Sequence, residues 1–241
     1  MTVRLAIDTA TDYGTVAVDR DEMLVGEVRL GPRRQATMLV SAIQWLLETA
    51  AAGLSDVKTV VLADGPGSFT GLRVGFATVQ GILAEHSAAV RTVPSLMSVA
   101  AAAGRGAPGR SVLAVFDALR GQVFAAVYSF RPGAVDTILE PTVLTIGDLR
   151  AGGLPDPSIV VGDDLGVHRA ALDSWIGDRA VRITGARPSA STMFGLIDLP
   201  GAARSVDEMA ELVPEYGRAA EAQVRWEQKH GRPLPDSTDR L

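Results

Sequence analysis

"VRLAIDTATDYGTVAV", residues 3–18, returns in altered form as "VLAVFDALRGQVFAAV", residues 112–127. Each copy is an apolar run, a turn and a second apolar run. An aspartate ends the first run (Asp8, Asp117) and a glycine opens the second (Gly14, Gly121). Short apolar runs bounded by turn residues read as strand, turn, strand. The segments after the two copies also correspond. After the first come a third strand, "MLVGEVRL", a helical pattern from Gln35 to Ala52, and a buried strand, "VKTVVLA" (57–63). A glycine-rich turn, a helix from Thr70 to Glu85, a strand at "AVRTV" and a helix opened by Pro94 complete the series. The linker "GRGAPGR" (104–110) punctuates the chain. Beyond it come a third strand "VDTILEPTVL", a helix at "TIGDLRA", a strand "SIVVGD", a helix to Trp175 and a strand "AVRI".

Three successive strands with short turns form an antiparallel meander, which plain βαβ alternation does not provide. The expectation is an α/β, duplicated actin-like (ASKHA, ribonuclease-H-like) fold, two β-β-β-α-β-α halves with mixed sheets. Residues 1–106 form the first half and 107–220 the second. The polar, proline-containing tail 221–241 is expected to be disordered. The alternative is chance likeness between two hairpins.

Composition narrows the chemistry. The chain has 241 residues, 47% hydrophobic and 21% charged, enough for a sizeable core. No apolar stretch approaches the roughly 18 residues of a membrane span. The opening "MTVRLAIDTA" is too short and carries Asp8, so a cytoplasmic location is expected. With no cysteine, thiolate nucleophiles, disulfides and thiolate zinc sites are excluded. The three histidines, His86, His168 and His230, have no metal-ligand spacing and read as solvated surface residues. A net charge of −5 argues against independent nucleic-acid binding, and the basic spot "GPRRQ" (31–35) reads as a loop.

"GPGSFTGLRVGF" (65–76) looks like a phosphate loop and fails each template. A Walker loop needs two glycines separated by four residues, then Lys and Ser or Thr; Gly65 and Gly71 are separated by five, and Leu72 comes next. The dinucleotide pattern takes Gly65 and Gly67 but meets Thr70 at its third position. Pro66 and Thr70 stand where a nucleophile elbow around Ser68 needs glycines. What remains is a helix-start turn in which Ser68 and Thr70 can cap free N–H groups, with anion binding as the alternative. Asp8 and Asp117, at matching strand ends, could hold Mg²⁺ and a nucleotide through water or could cap turns.

Two helices have outer sides that lack charge. From Gly71 to Glu85, Leu72, Phe76, Val79 and Leu83 make the core stripe. Val74, Ala77, Thr78 and Gly81 lie opposite, with no charge between Arg73 and Glu85. In the preceding helix Leu39, Ile43, Leu46, Leu47 and Ala50 face inward; Met38, Ser41 and Trp45 lie opposite, with Glu48 the one charge. Exposed Met and Trp are typical interface anchors. A partner interface of Met38, Ser41, Trp45, Arg73, Val74, Ala77, Thr78 and Gly81 is expected; the alternative is internal packing of one helix on the other.

"LAIDTAT", "GPGSFTGLRVGFATVQGIL", "VPSLMSVA", "FDALRGQVFAAVY" and "PEYGRAAEAQV" together resemble the TsaB (YeaZ) family across most of residues 3–224. The resemblance implies a non-catalytic, actin-like partner in making N6-threonylcarbamoyladenosine (t6A) at position 37 of tRNA. It implies a homodimer in isolation and alternative pairing of the same helices with the catalytic paralogue TsaD, in a complex that includes the ATPase TsaE. It also implies no cofactor on this chain alone, with ATP or ADP and metal on the partner subunits, and tRNA reached through the complex. TsaD carries its metal on a histidine pair; the matching segment here, "VPSLMSVA" (93–100), has no histidine. Relatives often have a histidine where this chain has Gln35. The rival readings are a nucleotide-dependent phosphotransferase built on Asp8 and Asp117, and a peptidase acting on the paralogue.

Overall fold

Both hairpins form where the apolar runs lie. β1 (Val3–Asp8) pairs antiparallel with β2 (Thr15–Arg20), and β3 (Met23–Arg29) continues the meander. α1 (Gln35–Thr49) crosses to β4 (Val57–Gly65), which runs parallel to β1. α2 (Phe69–Glu85) then leads to β5 (Ala89–Pro94), parallel to β4, and α3 (Ser95–Gly104) comes next. The second series is β6 (Ser111–Asp117), β7 (Val123–Arg131), β8 (Ala134–Leu144), α4 (Ile146–Ala151), β9 (Ile159–Gly162), α5 (Arg169–Ile176) and β10 (Val181–Thr184). This computed structural model describes residues 2–154, 156–162, 166–184, 186–218 and 229–231.

The two sheets have one topology. Strand order is β5-β4-β1-β2-β3 in the first and β10-β9-β6-β7-β8 in the second, with parallel and antiparallel neighbours in corresponding places. This is the duplicated actin-like α/β fold; each half is the β-β-β-α-β-α unit followed by a fifth strand, β5 at "AVRTV" and β10 at "AVRI".

Alternating side chains sort into layers, because successive residues of a strand point to opposite faces. Val3, Leu5 and Ile7 of β1 pack outward under α1 and α2. Ala6, with Val61 and Ala63 of β4, faces inward onto α3. From the other side Ala114 and Phe116 of β6 and Tyr128 of β7 meet the same helix, so one shared core joins the halves. Leu113 and Val115 face out under α4 and α5.

The segment after β10, counted with the second half by the sequence boundary, returns to the first. α6 (Ala190–Met193) starts with Ala190 N–H donating to Thr15 Oγ1 at 3.0 Å, and Ser189 Oγ donates to Glu27 at 2.8 Å. β11 (Arg204–Val206) pairs antiparallel with β5 and covers the edge of the first sheet. An open edge gains from such cover, and a three-residue strand is too short to show periodicity in sequence. Apart from 229–231, the tail 221–241 lies outside the described residues. Among the described residues no helix is long and apolar enough to cross a membrane.

Candidate functional site

The glycine-rich turn seats α2 against the first hairpin. β4 ends at Gly65 with φ at 119°, a region that residues with a Cβ rarely enter. Beside it, Glu215 N–H donates to the Asp64 carbonyl at 2.7 Å. Ser68 N–H donates to the Ala10 carbonyl at 2.6 Å, drawing the turn onto residues 9–10. A Cβ at Gly67 would overlap the Ala10 carbonyl oxygen, and one at Gly71 the Thr9 carbonyl oxygen. Ser68 is the N-cap, its Oγ accepting from Gly71 N–H at 3.2 Å, whereas Thr70 stays exposed. Gln35, at the start of α1, is buried and donates from Nε2 to the Thr11 carbonyl at 2.7 Å, tying the same hairpin to α1.

A cleft of about 470 Å³ opens between the hairpin turns, lined by Thr11, Asp12, Tyr13 and Arg33 on one side and Phe116, Asp117, Leu119 and Phe124 on the other. Ser68 and Thr70 border it at the start of α2, and Arg218 reaches it from the segment beyond β11. Asp117 is there; Asp8 is not. Asp8 is fully buried, accepting from Ala10 N–H at 3.0 Å and from Ser98 Oγ at 3.1 Å. Burial pushes its carboxyl up to about 6, and burial likewise raises Asp64 to about 6.

The two aspartates end their strands but do not occupy matching places. Leu5 and Ile7 share the outward face with Leu113 and Val115, so Asp8 corresponds to Phe116 and Asp117 to Thr9. The alignment that pairs the aspartates is one residue out of register, and a one-residue slip exchanges the faces of a strand. Asp8 therefore points to α3, while Asp117 Oδ1 lies 3.0 Å from His168 Nε2 just before α5 and accepts from Leu119 N–H at 2.8 Å. His168 is not the solvated residue expected; it is buried on this carboxylate. Its partner stands 51 residues away, so no local signal marks it. Among the described residues no group of three or more acidic or histidine side chains could hold a metal ion.

A second concavity, about 600 Å³, runs between α1 and α2. Its walls are Val40, Ile43, Gln44 and Leu47 from α1 and Ala77, Thr78, Gly81 and Ile82 from α2, with Glu48 at the rim. The small residues of α2 therefore face an open groove and not a covering helix. Met38, Ser41 and Trp45 of α1 are exposed, Trp45 at 57%, but they are not in the groove walls. Val40, 68% exposed, is a groove-wall residue absent from the expected interface; its spacing to Ile43 and Leu47 follows the helical period. Val74 is half-buried against the core. Arg73 turns from the groove: its guanidinium lies 4.0 Å over the Phe69 ring and Nε donates to Tyr216 Oη at 3.2 Å.

Two like halves around one core, with a cleft at the hairpins and an apolar groove on the first half, define an actin-like-fold domain. A solved structure, YeaZ from Pseudomonas aeruginosa, has the same fold: TM-score 0.74 at 23% identity, covering 90% of this chain and 100% of that one. The family profile described as "TsaD: tRNA N6-adenosine threonylcarbamoyltransferase" matches residues 31–164, more than half the chain. The tRNA threonylcarbamoyladenosine biosynthesis protein TsaB of Bacillus subtilis is 28% identical over 227 residues, 92% of this chain and 96% of that protein. TsaB of Escherichia coli is 36% identical over 124 residues, 52% of this chain and 54% of that protein. The chain belongs to the TsaB (YeaZ) family.

Proposed function

We propose that this protein is the non-catalytic partner, in t6A biosynthesis, of a TsaD-like paralogue, which it binds through the groove between α1 and α2. The reading rests on that groove: an apolar trough with Val40 exposed in its wall and Glu48 the one charge there, on the helix that also exposes Trp45. Exposed apolar area of this kind gains about 25 cal/mol per Å² when a partner covers it, and Trp is a frequent anchor at such centres. Small side chains at Ala77, Thr78 and Gly81 let a second helix approach closely.

α3 supports the assignment of chemistry to the partner. In the segment that resembles the paralogue's metal-binding helix, Ser95 and Ser98 are fully buried and committed to internal bonds. Ser95 Oγ accepts from Gly65 N–H at 3.1 Å, and Ser98 Oγ donates to Asp8. With both hydroxyls taken up in internal bonds, neither replaces an imidazole ligand. ATP or ADP and metal then belong to the TsaD-like and TsaE-like subunits, tRNA is held by the complex in the cytoplasm, and the isolated chain forms a homodimer through the same groove.

Thr78→Arg tests the surface. Thr78 Oγ1 donates only to the Val74 carbonyl of its own helix, at 2.8 Å, so the fold does not need it. An unpaired guanidinium buried in the contact costs about 3–5 kcal/mol. Size-exclusion of the variant with the purified paralogue should show no complex, where wild type forms one. A complex of undiminished affinity would remove the groove from the reading.

A further inference from the structure

Residues 212–218, beyond β11, touch both walls of the cleft. Leu212 is buried in the core beneath α2, and its carbonyl accepts from Gln80 Nε2 at 3.4 Å. The Tyr216 ring packs on Phe69, centroids 4.3 Å apart, and its hydroxyl accepts from Arg73. The next two residues cross to the second half. Gly217 sits where any Cβ would press on Pro66 and on the Phe124 ring, at 2.9 and 3.0 Å. Arg218 donates from Nη1 to the Ala118 carbonyl and lies 5.8 Å over Phe124.

We propose that residues 212–218 form a clasp that holds the mouth of the cleft at its present width, and that release of Tyr216 and Arg218 lets the two hairpin walls separate. Phe116 and Phe124 belong both to the shared core and to the cleft lining, so the core is the floor and keeps the halves joined there. At the mouth the walls end in exposed groups, Asp12, Arg33 and Leu119, which no core draws together. The clasp bridges that level. Its grip on the walls is one aromatic pair, one cation–ring contact and a few hydrogen bonds, interactions of the strength that local opening breaks and reforms. Because Tyr216 holds Phe69 and Arg73, the first turn of α2 moves with it. The clasp stands whether or not the groove binds a paralogue.

The chain has no cysteine, so a spin-label pair can be placed cleanly at Asp12→Cys and Leu119→Cys, on opposite walls. In this doubly labelled chain, Tyr216→Ala and Arg218→Ala should each weaken the dipolar coupling and shift the distance distribution to longer, broader values. Tyr216→Phe, which keeps the ring contact, should shift it less than Tyr216→Ala. Distributions in both alanine variants that match the parent, with cooperative unfolding retained, would overturn the clasp. If Tyr216→Ala no longer unfolds cooperatively, Arg218→Ala, whose side chain is only half-buried, decides by the same criterion.

Discussion

Ser98 Oγ donates to Asp8 Oδ2 at 3.1 Å, with both residues fully buried between the first sheet and α3. The bond does not offset the burial of the carboxylate, which titrates near 6 in the fold against an ordinary 3.8. A folded state that holds its proton more tightly than the unfolded chain is most stable at low pH. It loses that advantage as pH rises from about 4 to about 6. Asp8 alone accounts for up to about 3 kcal/mol of the loss.

Asp8→Asn should therefore flatten the decline and leave the variant more stable than wild type at neutral pH, by about 1–3 kcal/mol. The amide oxygen still accepts from Ala10 N–H, and its NH₂ can donate to Ser98 Oγ, whose one proton then turns to the Ser95 carbonyl, 3.0 Å away. Urea unfolding across that pH range is the measurement. Asp64, also near 6, supplies the slope that remains.

Gly81 separates docking from folding. Nothing lies within 4 Å of a Cβ built there, and the residue is inside a helix, where Gly costs about 1 kcal/mol relative to Ala. Gly81→Leu should leave thermal stability equal to or above wild type while filling the groove and abolishing both homodimer and paralogue complex. Sedimentation of the isolated chain, with and without the paralogue, reads both.

Gly71→Ala should do the reverse. Its methyl would enter the Thr9 carbonyl, a backbone atom that cannot rotate away, so α2 must shift on the hairpin. Overpacking of this kind costs about 1–3 kcal/mol. The urea midpoint should fall accordingly, and a midpoint equal to wild type would mean that the turn does not seat α2.

The order of elements along the chain is legible in the sequence because the strands are short apolar runs between turn residues and the helices follow their own period. The outer sides of α1 and α2 are legible for the same kind of reason: helical spacing plus missing charge. The correspondence of Asp8 with Asp117 fails, since two apolar runs align equally well one residue apart and only the packing of α3 and α5 fixes the register. The roles of His168, Arg218 and β11 are invisible there because their partners are distant in the chain and no pattern precedes them.

The central claim is that tRNA modification by the paralogue depends on contact with this groove. It is tested most directly by reconstituting threonylcarbamoyl transfer to tRNA from the purified partner subunits, with wild type, with Thr78→Arg, or without this chain. The account predicts t6A with wild type, and only the background seen without the chain when the variant replaces it. Equal modification in all three reactions would contradict it.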